Sequence, residues 1–570
     1  MPEDLSIKTV YIENFRSIQK ETINLKEGLN ILVGPNNSGK SNIIEAIDLV
    51  LGDVYLPKFE PVTDDFYSGD ESKNICISIT VYGKALKKIE ANFGEEVTIR
   101  YKYDKVNGGI VDIYNGKSWI TPVSNRPFGE WWPFNKAVHF LRVKSLRSLV
   151  EVAPIRWKSP LRYFRDIIIR EASHEGNNKL DEVINVIEQA KGKLNEIGII
   201  KDLVDDLLKV TRDQTALRTI SISPSSTKYS DVLNDMKVII DDGYISEVSR
   251  KGMGTQNSII IALFRVMAKH IREKEGKHLL YGIDEPEIGM HPHSQRHLLK
   301  SLEKLAEYSQ VIITTHSGNL IDTYNINNII RVNRTENGTK TFSHKLESDE
   351  RKILEIHGDN LEESFFARRV LLVEGATEEG FFPEASKKVI EKDCNYSFDL
   401  NSVSVINCGG DTVWHFLKLF RGLSIPHILL VDDDKLNETL FEKLKQLNIL
   451  NDTEVSDLKN KDRTEQCKIL RNKNVWVLVP FETSISQKSS ETTLQKLVNT
   501  INFVKKNWGY DIENLSTFSE IKEQEKLKKS VIQYLTKNKR KRVGHAIAHE
   551  LNLDEYPDDY IELIKIIAQL

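Results

Sequence analysis

Short apolar runs bounded by polar turns dominate the first 150 residues: "LNILVG", "NICISITVYG" and "EVTIRYKYD" read as strands, and one early helix follows Lys40. Strand, glycine loop and helix in that order open an α/β domain. From about 160 to 212 the period changes, with Leu180, Val183, Ile184 and Ile187, then Leu203, Leu207 and Val210, recurring at helical spacing among charges. The pattern predicts a helical insertion whose apolar stripe packs on a partner helix, in the same chain or in a second subunit. Residues 255–335 return to α/β, with the helix "NSIIIALFRVMAKHI" and the strands "HLLYGI" and "QVIITT", and a charged connector covers 336–366. A second α/β block starts at "RVLLVEG" and runs through "VSVIN" and "HILLVDD" to "VWVLVP". Continuous apolar strands followed by helices predict a parallel sheet covered on both faces. After 485 the chain reads as mainly helical and charged, and neither an internal repeat nor a sustained heptad register is visible.

Composition narrows the class. A chain of 570 residues exceeds what one hydrophobic core organises, so two or three domains are expected. Its 40% apolar and 28% charged residues are those of an ordinary soluble protein. No apolar run reaches the roughly 18 residues that span a bilayer. The acidic start "MPEDLSIKTV" lacks the basic flank of a signal peptide, so a cytoplasmic protein without membrane contact is expected. Cys76, Cys394, Cys408 and Cys467 form no C-x-x-C pair and suggest neither zinc nor a disulfide framework. A net charge of −4 argues against a chain that coats nucleic acid non-specifically, yet leaves room for a local basic groove. The clearest basic run is Lys537 to Arg542, which as composition alone reads as the solvated face of a late helix.

Against this background "GPNNSGKS" fits the phosphate-binding pattern at Gly34, Gly39, Lys40 and Ser41, directly after a strand and before a helix. Backbone N–H groups of Gly34, Asn36, Asn37, Ser38 and Gly39 would curl around the phosphates of ATP, Lys40 would reach the β- and γ-phosphates, and Ser41 would hold Mg²⁺. The second acid such a site needs appears in "HLLYGIDEPEIGMHP": Asp284 for the metal shell and Glu285 to polarise the attacking water. "VIITTHS" puts His316 at a strand end, where its imidazole could contact the γ-phosphate. His291 and His293 have metal-pair spacing without a third partner, and count as an incomplete site. "IENFRSI" with Asn14, Phe15 and Arg16, the phosphate loop, "DEPEIGMHP" and "TTHS" together resemble the ABC-class ATPases of the RecF and structural-maintenance group. In that group ATP is sandwiched between two subunits, which implies a homodimer or tetramer. The matching signature loop is "SRKGMGTQNS", with Gly252, Gly254 and Gln256 ahead of a helix, although it departs from the family's serine-containing pattern.

The second block has its own acids. Glu374 ends a strand, Gly375 turns the chain, and Glu378 follows one helical turn later on the same face. "HILLVDDDK" ends another strand, where an extended backbone would send Asp432 and Asp434 to one side and Asp433 to the other. Carboxylates at the C-terminal ends of parallel strands converge on the ligand crevice of open α/β sheets, and hard oxygen donors select Mg²⁺ or Mn²⁺. Taken singly, each acid reads as a solvated strand end. The ordered set, Glu then Gly409-Gly410 then Asp-x-Asp, resembles the Toprim fold over residues 367–485. An ABC ATPase upstream of a Toprim domain resembles the OLD (overcoming lysogenization defect) nucleases, including the nuclease subunit of the Gabija anti-phage system, over nearly the whole chain. The resemblance implies that Glu374, Glu378, Asp432 and Asp434 carry metals, that Glu482 in "VLVPFE" is a further acid, and that Lys541 or Lys539 sits beside the scissile phosphate.

The expected organisation is therefore α/β, an ABC-type ATPase with a helical dimerisation insertion followed by a Toprim parallel sheet and a helical C-terminus. The expected segments are 1–155 for the first ATPase half, 156–235 for the insertion, 236–350 for the second half, 367–485 for the Toprim nuclease and 486–570 for the helices completing its site. The expected function is an ATP-regulated, divalent-metal-dependent DNA endonuclease in anti-phage defence, using Mg²⁺ with Mn²⁺ as a substitute. A helicase, or a retron reverse transcriptase with its nucleic acid, is the implied defence partner. Two other readings stay open here: an ATP-dependent DNA clamp or repair scaffold of the RecF type, and a topoisomerase or primase. The latter would need a tyrosine nucleophile on a DNA-binding domain or a zinc module, and neither is visible.

Overall fold

The computed structural model describes residues 5–52, 56, 59–84, 86, 94–114, 116–120, 138–144, 182, 185–186, 189, 239–241, 243–275, 278–321, 325–357, 361–392, 397–490, 492–497, 499, 524–537 and 539–569. Most of the helical insertion expected at 156–235 lies outside them; Glu182, Asn185, Val186 and Gln189 are helical. The chain divides into two compact units, one of residues 1–16, 22–30 and 41–315, the other of residues 17–21, 31–40 and 316–570. Among the described residues no helix is long and apolar enough to cross a membrane.

The first unit holds most of the elements expected of the segments 1–155 and 236–350. Strands β1 (Ser6–Phe15), β4 (Ile75–Tyr82), β5 (Glu96–Asp104), β6 (Gly108–Tyr114) and β7 (Trp119–Ile120) form an antiparallel ladder in that order; β2 (Ile18–Asn24) and β3 (Leu29–Val33) come between β1 and β4 in sequence. Alternate burial along β4, with Ile75, Ile77, Ile79 and Val81 inside, is the period of a sheet with one covered face. Helix α1 (Lys40–Leu51) follows the glycine loop, and β8 (Val138–Val143), a short hairpin of β9 (Ile239–Asp241) and β10 (Ile245–Glu247), α2 (Met253–Glu275), β11 (His278–Asp284), α3 (Pro292–Ala306) and β12 (Val311–Thr314) complete the unit. Strand β11 is buried at every position and pairs in parallel with β8 on one side and β12 on the other. Gly282 is required there, because a Cβ would lie 2.3 Å from the Phe140 ring and 2.8 Å from Ile44 of α1. The signature loop differs from expectation in one respect: α2 already begins at Met253, so Gly254 and Gln256 lie in its first turn.

In the second unit Ile31–Val33 of β3 pair in parallel with β13 (Ile329–Thr335), which makes an antiparallel hairpin with β14 (Gly338–Phe342). The stretch 336–366 is thus not a plain connector, since it contains β14 and α4 (Ser348–His357). A four-stranded sheet follows in the order β16-β15-β17-β18, all parallel, with β15 at Arg369–Val373, β16 at Val403–Asn407, β17 at His427–Asp432 and β18 at Val475–Leu478. Its centres are apolar runs such as Val370–Val373, each wholly buried. Helix α5 (Ala376–Lys392) follows β15, α6 (Val413–Gly422) follows β16, and α7 (Glu438–Gln446), α8 (Asp452–Lys459) and α9 (Arg463–Arg471) separate β17 from β18. The expected helical end is α10 (Phe481–Lys488), α11 (Gln524–Lys537), α12 (Lys541–Glu550) and α13 (Asp558–Gln569). Their Ile485, Val531, Ile547 and Leu563 join Phe381, Phe382, Leu371 and Trp476 in one core, so these helices belong to the same folded body as the sheet.

Helices α5 and α12 cross at backbone distance. A Cβ on Gly380 would stand 1.7 Å from the Lys541 carbonyl oxygen, and one on Gly544 would stand 1.8 Å from the Thr377 carbonyl oxygen. Neither contact has a flexible side chain that could give way. Gly544→Ala is therefore expected to lower stability by about 1–3 kcal/mol, the usual cost of overpacking. Denaturant unfolding followed by fluorescence checks this, and an unchanged midpoint would contradict the crossing.

Candidate functional site

The parallel sheet ends in the acids anticipated for it. Glu374 directly follows β15, Glu378 lies in the first turn of α5, Asp432 ends β17, and Glu482 lies in the first turn of α10. Asp433–Lys435 is not extended: Asp432 keeps strand geometry and caps a 3₁₀ turn that contains Asp434. The backbone across 432–434 is thus a turn rather than the extended pleat expected, though Asp434 stays close enough to Asp432 to act on its carboxyl. Asp433 points to Arg463 at 3.2 Å.

Glu378 and Glu482 are each 3% exposed. Burial pushes the Glu378 carboxyl up to about 7, with Glu482 and Asp432 adding to the rise and its own backbone N–H and Lys539 opposing it. Its Oε2 accepts no hydrogen bond among the described residues. Asp432 is raised to about 6, first by burial and then by Glu374, with Glu482 and Asp434 adding to it against Lys539. Burial by itself would lower the Lys539 ammonium, but Glu482, Glu378 and Asp432 outweigh it and hold the group above its usual value. Lys539 Nζ lies 3.2 Å from Glu482 Oε1. Lys541 turns elsewhere, to Glu379 Oε1 at 2.7 Å. The structure thus brings Lys539, and not Lys541, into the acid cluster.

Two neighbours escaped the sequence reading. Lys435 reaches back to Glu374 Oε2 at 2.5 Å, and the buried Tyr560 hydroxyl, raised chiefly by burial, also feels Glu378, Asp432 and Glu482. The signal for Lys435 was its place directly after the three aspartates; Tyr560 offered none. Among the described residues no three His, Cys, Asp or Glu side chains close on one point as a cation shell. The donor chemistry nevertheless suits a hard divalent ion: burial and then neighbouring carboxylates raise Glu378 and Asp432, and the buried Glu378 Oε2 has no hydrogen-bonding partner among the described residues.

The nucleotide motifs are built as their glycines require. Gly34 has φ 142° and a Cβ there would meet the Val332 carbonyl oxygen at 2.0 Å; Gly39 has φ 104° and a Cβ would meet Thr339 Oγ1 at 2.4 Å. Thr339 Oγ1 donates to the Ser38 carbonyl at 2.9 Å, fixing the loop from below. Asn36 and Asn37 are exposed, Asn37 in the left-handed region, while Ser38 Oγ is buried with no hydrogen-bond partner among the described residues. Lys40 is 5% exposed and donates to the Gly34 and Pro35 carbonyls, 3.0 Å each, an anchored ammonium facing a loop of backbone N–H groups. Ser41 occupies the first turn of α1.

Asp284 ends β11, and Glu285 follows at φ 44°, a strained value for a non-glycine residue. Thr314 of β12 orders both acids: its hydroxyl donates to Asp284 Oδ1 at 3.2 Å and accepts from the Glu285 N–H at 3.1 Å. Asp284 Oδ2 accepts from Arg142 of β8 at 3.2 Å, a residue the sequence reading did not single out. His316, exposed after β12, has its ring 6.3 Å from that of Phe366. Gly254 would place a Cβ 3.0 Å from Ser294 Oγ, and Gln256 donates to the Ser249 and Lys251 carbonyls. His291 and His293 stack on each other, with Arg296 at 2.7 Å from His293 Nδ1.

A family model for the AAA ATPase domain matches residues 6–137 and 144–321, more than half of the chain, and one for the overcoming lysogenization defect protein-like TOPRIM domain matches residues 365–434. The chain is 24% identical over 449 residues to "Endonuclease GajA" of Bacillus cereus strain VD045, covering 75% of each. It is 26% identical over 495 residues to "Old nuclease" of Escherichia phage P2, covering 77% of this chain and 79% of that one. It is 24% identical over 459 residues to "OLD nuclease" of Thermus scotoductus, covering 75% and 82%.

The raised carboxyls give the metal-free protein a testable pH dependence. Glu378 and Asp432 bind protons in the folded state at pH values where the unfolded chain has released them, so unfolding free energy falls as pH rises from about 4 toward 7. In EDTA the melting temperature of the wild type is expected to drop over this range more than that of Glu378→Gln, and divalent cation should restore most of it above pH 7. Parallel pH profiles for the two proteins would show that Glu378 is not the strained group.

Proposed function

The chain belongs to the OLD family of nucleases, an AAA-type ATPase domain joined to an OLD-like TOPRIM domain, and from that premise we propose how its residues divide an ATP-dependent, divalent-metal-dependent cleavage of DNA. The ATPase and TOPRIM domains use ATP and a divalent metal. Glu374, Glu378, Asp432 and Asp434, with Glu482, would hold the cation, and Mg²⁺ suits their hard oxygens, with Mn²⁺ as substitute. When bound, such a cation activates water and stabilises the leaving oxygen of a phosphodiester. Lys539 would lie against the scissile phosphate and offset its developing charge. The observation supporting this assignment is the meeting of Glu378, Asp432 and Glu482 around Lys539 while Lys541 is committed to Glu379.

For ATP, the N–H groups of 34–39 and Lys40 would bind the phosphates, with Ser41 and Asp284 on the metal side, Glu285 orienting water, and His316 near the γ-phosphate. Gly254 and its loop would complete the site of a second copy, so a homodimer or tetramer is part of the reading. The likeness to an endonuclease named GajA supports a role in anti-phage defence, with a helicase or reverse transcriptase as the type of partner to look for. The segments 1–155, 156–235, 236–350, 367–485 and 486–570 are the proposed domain limits.

Two expected outcomes test the division. Asp434→Ala removes metal-dependent plasmid cleavage and leaves ATP turnover near wild type, whereas Lys40→Ala abolishes ATP binding. If Asp434→Ala cut DNA at the wild-type rate, the nuclease centre would lie elsewhere. Between the lysines, Lys539→Ala is expected to slow cleavage by about 10²-fold, the scale of one lost transition-state partner, with Lys541→Ala within a few-fold of wild type. The reverse order would transfer the role to Lys541.

A further inference from the structure

Five alternating charges run through the first unit. Asp284 Oδ2 accepts from Arg142 Nε and Nη2 at 3.3 and 3.2 Å; Arg142 Nη1 lies 2.6 Å from Glu45 Oε1. Glu45 in turn pairs with Arg16 of the "NFRS" segment, whose Nε donates to Asp65 at 3.1 Å. All but Arg16, at 35%, are largely dry, with side-chain exposures of 9% for Asp284, 12% for Arg142, 17% for Glu45 and 11% for Asp65. Glu45 sits one turn after Ser41 on the same face of α1, so the two proposed metal-side groups, Ser41 and Asp284, each stand next to a member of the chain. Arg16 is held at φ 51° with its N–H bonded to the Asp65 carbonyl at 2.8 Å, which fixes the outer end.

We propose that Arg142 is a positioning residue for the nucleotide's metal: it neutralises Asp284 before the cation arrives, competes with the cation for Oδ2, and is drawn off toward Glu45 when the cation binds. The inference rests on the ATP-site reading above. Its physical content is a competition for one carboxylate oxygen between a fixed cation and a diffusible one. Because Glu45 attracts the same guanidinium, the strength of Arg142 as competitor is set by its other partner. Removing Arg142 should ease metal entry while exposing bound phosphates to the bare Asp284 charge. Removing the Glu45 charge should do the opposite, by leaving Arg142 wholly to Asp284.

The test is binding of a fluorescent ATP analogue by the full chain, titrated with Mg²⁺ and measured separately in EDTA, for wild type, Arg142→Gln, Arg142→Lys, Glu45→Gln and Lys40→Ala. Arg142→Gln is expected to weaken binding in EDTA by roughly tenfold, the scale of one nearby charge in a partly dry site, and to lower the Mg²⁺ concentration for half-maximal binding. Glu45→Gln is expected to raise that Mg²⁺ concentration, and Arg142→Lys, which keeps the charge but not the fork that reaches both carboxylates, to fall between wild type and Arg142→Gln. Opposite shifts cannot come from general damage to the fold, and a thermal melt of each variant identifies any that fail to fold. Shifts in the same direction, or none in well-folded variants while Lys40→Ala loses binding, would overturn the proposal alone. Wild-type binding by Lys40→Ala would instead overturn the ATP-site reading.

Discussion

Carboxylates gathered at one end of a parallel sheet repel one another, and the second unit is organised around that repulsion. Glu374, Asp432 and Asp434 come to the edge because apolar strands end there, and Glu378 and Glu482 because helices begin there. Nothing in the apolar core beneath can stabilise them as anions. Their burial with partial compensation appears as raised carboxyls at Glu378 and Asp432, and as ammonium groups drawn in, Lys435 to Glu374 and Lys539 to Glu482. Such a cluster remains folded only because the surrounding body is stable enough to hold it. That body is the continuous core of sheet and C-terminal helices.

The close crossing of α5 and α12 converts this electrostatic demand into geometry. Glu378 and Glu379 ride on α5, Lys539 and Lys541 enter and begin α12, and Gly380 and Gly544 let the two backbones touch. With the helices locked at that distance, the two lysines are sorted to different acids. A bulkier contact would separate the cation from the acids it serves, so the glycines determine charge placement as much as packing.

This explains which features could be read along the chain. Glu374 and Asp432 were legible because strand ends follow from apolar runs, a local property, whereas Glu482, in the first turn of a helix, was reached only through the family resemblance. The choice between Lys539 and Lys541 was not, since both belong to one basic run and their sorting depends on glycines that meet only in the fold. Arg142 lies inside the apolar strand "VHFLRV", where a lone cation has no visible partner; Glu45 is 97 positions earlier and Asp284 142 positions later. The 3₁₀ turn at Asp433–Lys435 was not legible, because the apolar run before it is equally compatible with an extended continuation. The stripe at 160–212 was legible as a period, but lies almost wholly outside the described residues.

The phosphate loop and the acid cluster fall in the same compact unit, and one buried side chain shows how they are tied together. Arg331 of β13 stands opposite Val33, the residue before Gly34, and is fully buried. Its guanidinium donates to the Ser424 carbonyl at 2.7 Å and the Ala367 carbonyl at 3.1 Å, the segments leading into β17 and β15. Burial lowers this guanidinium to about 10, a sign of how little water reaches it. Hydrogen bonds to neutral carbonyls in a dry setting are directional and costly to leave unmade. The strand beside the phosphate loop is therefore fixed to the strands that carry Glu374 and Asp432. The tie is direct hydrogen bonding from one buried side chain rather than a run of intervening chain.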